Sequence, residues 1–210
     1  MTKSIDISRR GLVGLGLSAA AMAGPALAQV ANPALTAGFK GVDCGKGVTA
    51  YKGVAYARPP VGPLRFAPPV RLPTPTGRHD WTKFGPPAIQ TPSPSSANPT
   101  SELGKALQTI FPTASEVAAQ SEDCLYLNIW TTAKQPETGR PVMVWLHGGG
   151  FAYGSGAWPI YDGTNLATQD VVVVTLNHRL NVFGYADLDS VRGSGNAGML
   201  DIVAALEWVR

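Results

Sequence analysis

Cysteine is nearly absent from this chain: Cys44 and Cys124 are the only two among 210 residues. That count leaves no cysteine-based metal-ligand spacing and allows at most one disulfide. No metal is expected, and the sequence implies no organic cofactor. Charge is also scarce, at 15% of residues with a net +3. Most of that excess sits at the start, where Lys3, Arg9 and Arg10 outweigh Asp6, and the rest of the chain is close to neutral. A nucleic-acid partner would call for a clustered Lys and Arg surface, and none is visible. There is no internal repeat. Hydrophobic residues, by contrast, make up 44% of the chain, enough for a packed core. The length suits one sizeable domain and is short for two. The 18 prolines and 24 glycines imply long irregular connections.

The N-terminus reads as an address. Arg9-Arg10 precedes an uncharged Ala-, Leu- and Gly-rich segment from Gly11 to Ala28, closed by Ala26-Leu27-Ala28, a small–x–small cleavage pattern. A transmembrane helix is the competing reading, but the segment is short and Pro25 interrupts it. Residues 1–28 are thus expected to be a twin-arginine export signal, with Gln29 starting a mature domain, 29–210, in the periplasm or outside the cell. No stable membrane span is expected.

Several segments declare their structure. Gly47 to Tyr56 predicts a strand region with a hairpin or bulge, and Arg58-Pro59-Pro60 rules out regular structure after it. Thr91 to Ser101 predicts a surface loop. Cys124–Trp130 and Pro141–Leu146 are strand candidates. Asp170–Leu176, with four consecutive valines, predicts an inner strand buried on both faces. Asn196–Arg210 predicts a helix, with Met199, Leu200, Val203, Ala204, Leu206 and Val209 near the helical spacing. Strands linked by crossovers point to an α/β fold with a parallel or mixed sheet.

The most informative stretch is Trp145-Leu146-His147-Gly148-Gly149-Gly150-Phe151. Three consecutive glycines after an apolar strand provide the backbone freedom needed for N–H groups to close on a bound atom. Two such groups aimed at one point stabilise the negative oxygen that forms when an acyl carbonyl is attacked. A tight turn without a ligand is the simpler alternative for an isolated Gly-Gly-Gly.

Motifs in order along the chain narrow the choice. Gly53-Val54-Ala55-Tyr56-Ala57-Arg58-Pro59-Pro60-Val61-Gly62 with Leu64-Arg65-Phe66 comes first, then Glu122-Asp123-Cys124-Leu125-Tyr126-Leu127-Asn128-Ile129-Trp130. The glycine turn follows, then Asn177-His178-Arg179-Leu180 and Gly195-Asn196-Ala197-Gly198-Met199-Leu200-Asp201. Together they resemble the N-terminal part of the type-B carboxylesterase family, which includes cholinesterases, over most of the chain after about Phe39. The resemblance implies the N-terminal part of an α/β-hydrolase fold, a serine–acid–histidine triad and small-molecule ester substrates. It also implies that Gly149 and Gly150 are oxyanion-hole donors, with a third donor after the nucleophile, and that His147 braces the loop. Arg179 is expected to pair with Asp201, and Arg65 with Glu122, as structural support.

The triad itself is not in this sequence. No Gly-x-Ser-x-Gly elbow occurs, since Tyr153 and Arg192 stand where Ser155 and Ser194 would need a glycine. The family places its elbow shortly after the segment matching Ala205–Val209, so the chain reads as a front portion ending before the nucleophile. None of the histidines is expected to be the base; His79 is expected in solvent and His178 in a packing or hydrogen-bonding role. The family cysteine that partners Cys124 is replaced by Ala88, so two free thiols are expected. The functional reading is a carboxylic-ester hydrolase whose present chain is inactive alone, with a non-catalytic cholinesterase-like binding protein as the alternative.

Overall fold

The computed structural model describes residues 38–91, 101–102, 105–106, 119–132 and 139–210. The segment expected to be an export signal, residues 1–28, and nearly all of the Thr91–Ser101 stretch lie outside these residues.

A five-stranded mixed sheet organises the domain. Strand β1 (Phe39–Lys40) pairs in parallel with β4 (His79–Asp80) as a small separate sheet. In the main sheet, β2 (Val42–Asp43) and β3 (Val48–Ala55) form the expected hairpin. Next to β3 runs β5 (Tyr126–Thr132), antiparallel, with a register shift between Tyr51 and Val54. Strand β7 (Val172–Leu176) follows, antiparallel to β5, and β6 (Val142–Leu146) closes the order in parallel with β7. All five residues of β7 are buried, as a valine run in a sheet covered on both sides requires.

Helices cover both faces. Helix α1 (Thr164–Ala167) sets Ala167 against Val48, Ala50, Trp130 and Val173. The larger core lies on the opposite face, where α2 (Asn181–Tyr185) leads to α3 (Ala197–Val209). There Ile202, Ala204, Ala205, Trp208 and Val209 pack with Tyr56, Leu125, Leu127, Ile129, Val174 and Leu176. Burying a side chain such as Leu127 or Ile129 contributes about 1.5–3 kcal/mol.

The stripe expected on α3 is corrected in part. Met199, Val203 and Leu206 are 44–47% exposed, whereas Ala197, Asp201, Ile202, Ala205 and Trp208 face inward. The helix is apolar on most sides, so spacing alone does not select the buried face, and small residues let it approach the sheet. His79 is also placed differently from the expectation. It is half-buried, with its ring stacked on Trp81 and edge-on to Phe39.

Both cysteines are free thiols. Cys44 Sγ donates to the Val42 carbonyl, and Cys124 lies in the core, where burial pushes its pKa up.

Candidate active site

Strand β6 delivers the glycine loop at the end of the sheet. After Leu146 the chain turns sharply, with φ of +127° at Gly149 and +59° at Gly150. A Cβ on Gly149 would sit 1.8 Å from the Tyr153 carbonyl oxygen, so this position admits no side chain. The Ala152 and Tyr153 N–H groups both donate to the Gly149 carbonyl, at 3.0 and 3.3 Å, and close the turn. Among the described residues no acceptor is engaged by the N–H of Gly149 or Gly150. An unclaimed pair of donors just past the end of β6 can receive an oxyanion.

His147 lies directly behind them. Its Nδ1 is 2.9 Å from the Gly148 carbonyl, which can only accept, so the neutral ring carries its proton on Nδ1. Gly154 packs against this ring so closely that a Cβ there would be 2.2 Å from Nδ1. The His178 ring stacks on the other side, at 4.9 Å. Burial lowers the His147 pKa to about 4, with His178 adding to the effect, and burial lowers that of His178 as well. Both rings are therefore neutral near pH 7. Ser155 and Ser194, the serines with adjacent glycines, hydrogen-bond elsewhere than to either ring: Ser155 Oγ donates to Asn177 Oδ1, and Ser194 Oγ accepts from the Leu188 N–H.

Beyond the turn, polar side chains on the sheet hold the backbone. Asn177 Oδ1 accepts from the Gly156 N–H at 2.8 Å, and Thr175 Oγ1 donates to the Gly156 carbonyl at 2.7 Å. Asn128 Nδ2 then donates to Thr175 Oγ1, and Tyr56 donates its hydroxyl to the Asn177 carbonyl. Each of these groups is buried, where a lost partner costs about 1–3 kcal/mol. Sequence reasoning overlooked this network. Its local signals were Thr175, a polar residue directly after four valines, and Asn177 two positions on.

The two ion pairs lie beneath. Arg179 grips Asp201 through Nε and Nη2, at 2.8 and 2.7 Å, while its own N–H also donates to the carboxylate. Both side chains are almost wholly buried, which makes the pairing obligatory. Burial pushes the Asp201 pKa up, and the guanidinium pulls it back. Arg65 binds Glu122 through Nε and Nη2 nearer the surface. Arg179 and Asp201 join the start of the segment after β7 to α3, at the same end of the sheet from which the glycine loop emerges.

Among the described residues no group of three or more His, Cys, Asp or Glu could hold a metal ion, and no helix is long and apolar enough to cross a membrane.

Comparison with known proteins agrees with this arrangement. The carboxylesterase family model matches residues 36–210. Fumonisin B1 esterase of Sphingopyxis macrogoltabida is 41% identical over 169 residues, covering 78% of this chain and 28% of that protein. Para-nitrobenzyl esterase of Bacillus subtilis is 42% identical over 167 residues, covering 78% of this chain and 31% of the relative. The crystal structure of a Geobacillus stearothermophilus carboxylesterase superposes with a TM-score of 0.64 at 42% identity, over 81% of this chain and 32% of that one. The sheet and its helices are thus part of an α/β-hydrolase fold, and the chain spans about a third of the length of the proteins it matches. With a glycine turn of this shape, a buried ion pair and a family match over most of its length, the chain belongs to the carboxylesterase family.

Proposed function

We propose that this chain supplies the oxyanion-stabilising loop of a carboxylic-ester hydrolase that works through a serine nucleophile. The observation that carries the reading is the pair of unengaged N–H groups on Gly149 and Gly150, in a turn that no side chain could enter at Gly149. When a serine oxygen attacks an ester carbonyl, the carbonyl oxygen becomes negative and these donors stabilise it. Loss of one such donor typically costs about a hundred- to a thousand-fold in rate. His147, neutral and stacked, braces the loop without serving as the base. The relatives named above are esterases of small molecules, which supports an ester as the substrate class.

The residues present supply no elbow serine and no base, so the chain by itself is predicted not to turn over esters. The twin arginine and the Ala26-Leu27-Ala28 pattern support export of the protein to the periplasm or beyond.

The test joins residues 36–210 to the remainder of the Bacillus subtilis para-nitrobenzyl esterase in place of its matching segment. Hydrolysis of a p-nitrophenyl ester is expected from the chimera and none above buffer from the 210-residue chain. Gly149→Ala keeps its N–H, but its methyl would press on the Tyr153 carbonyl oxygen, so it should push the loop's donors out of line and lower kcat about a hundredfold while the chimera stays folded. Full activity in that variant would sink the oxyanion assignment. A folded but silent chimera would favour the non-catalytic binding reading.

A further inference from the structure

We infer that Gln90 is a positioning residue for the oxyanion loop, acting through a two-pronged hold on the backbone of Gly154; the inference rests on the esterase reading of that loop. Gln90 Oε1 accepts from the Gly154 N–H at 2.7 Å, and Gln90 Nε2 donates to the Gly154 carbonyl at 3.0 Å. The second amide proton goes to the Ala88 carbonyl, also at 3.0 Å. A flipped amide would set N–H against N–H at Gly154, so the amide orientation is determined by its partners. Among the described residues, Gln90 is the hydrogen-bond partner of both polar backbone groups of Gly154. It thus pairs with a loop residue as a neighbouring strand would.

Gln90 can hold the loop because its own segment is anchored. Its N–H donates to Gln120 Oε1, the Ser121 N–H donates to the Pro87 carbonyl, and Asn177 Nδ2 donates to the Pro86 carbonyl. Asn181 adds a second clamp, donating through Nδ2 to the carbonyls of both Ile89 and Ala152.

Gly154 is the point at which this hold reaches the donors. Its φ is +128°, and a Cβ there would come within 2.2 Å of His147 Nδ1 and 2.4 Å of the Gly148 oxygen. His147 and Gly148 immediately precede Gly149. A displaced Gly154 would release the ring and carbonyl that set the direction of the Gly149 and Gly150 N–H groups. Gln90 touches no reacting atom. Its effect passes through Gly154 and His147.

Hydrogen exchange on the 210-residue chain, read by mass spectrometry over peptides covering 151–156, tests the hold without any ester. Gln90→Leu removes both hydrogen bonds and should speed exchange there by about tenfold or more, while β7 stays within about twofold. Gln90→Glu keeps an acceptor for the Gly154 N–H and loses the donor, so it should restore part of the protection. Unchanged loop exchange, or an equal rise in β7, would overturn the inference. If Gln90→Leu does not fold, Gln90→Glu decides alone: a rise confined to the loop supports the hold and no rise overturns it. In the chimera described above, Gln90→Leu should lower kcat about tenfold with KM within about twofold. A raised KM with kcat intact would also overturn it. A chimera that is silent with Gln90 in place sinks the esterase reading, and the exchange result still decides whether Gln90 holds the loop.

Discussion

The rings of His147 and His178 lie face to face, their centroids 4.9 Å apart and their planes 11° from parallel. One follows β6 and the other follows β7, so the stack joins the ends of two parallel strands beside the glycine turn. A proton on either ring would place a buried charge against its neighbour.

Stability should therefore fall on acidification. The His147 pKa is lowered from 6.5 to about 4, chiefly by burial, so between those values the unfolded chain binds more protons than the folded one. The sign follows from linkage. The contribution is complete above about pH 6.5 and is lost as pH falls through about 4, amounting to roughly 2–3 kcal/mol. His178 acts in the same direction. Urea unfolding at pH 7 and pH 5 should show this loss, and His147→Gln should reduce the difference. An identical difference in the variant would assign the acid sensitivity elsewhere.

Asp201 should be the most costly single charge to remove. Asp201→Ala leaves the Arg179 guanidinium buried with only the Ala67 and Ala197 carbonyls to bind, at about 3–5 kcal/mol. Replacing both partners, as in Arg179→Met with Asp201→Leu, should cost clearly less, because no charge is stranded. Denaturant midpoints of the single and double variants decide the matter. Equal losses would mean that the packing of these side chains, and not their charge, carries the effect.

Ala88→Cys should form a disulfide with Cys124. The two residues are buried in one hydrophobic cluster and line the same small cavity with Phe66, Leu180 and Phe183. Burial raises the Cys124 pKa and suppresses the thiolate that attacks a disulfide, so the bond should form during oxidative folding and not afterwards. One labelled thiol, that of Cys44, after unfolding, with a gain of about 2–4 kcal/mol in stability, is the expected result. A variant in which all three thiols, Cys44 included, label after unfolding would show that the side chains do not meet.

Strand β6 should drive self-association. Met143, Trp145 and Leu146 are 42–46% exposed on an edge strand that carries no charge, and α3 adds the exposed Met199, Val203 and Leu206. Unpaired apolar edges recruit other strands. Sedimentation should find oligomers or aggregates of the 210-residue chain, with a larger monomer fraction for Met143→Lys combined with Trp145→Glu. A monomeric, cooperative thermal transition of the unsubstituted protein would contradict this.

Much of the fold is legible in the sequence. A run of β-branched valines favours a strand covered on both faces, and Val172, Val173 and Val174 lie buried in β7. The hairpin around Gly47 and the helix after Asn196 followed from local signals of the same kind. The face of α3 was not legible, because Met199 and Val203 are as apolar as Ile202 and only the neighbouring surface selects between them. His79 shows the same limit. A polar neighbourhood in sequence became an aromatic cluster once β1 and β4 paired.

The sequence by itself determined the glycine turn, the strand before it and the want of an elbow serine, since these depend on backbone freedom and on residue type at neighbouring positions. Tertiary structure alone decided what holds the turn in place. Gln90 reaches Gly154 across 64 residues and Asn177 reaches Pro86 across 91. A hydrogen bond requires two atoms within about 3 Å, and over such separations only the folded sheet brings them together.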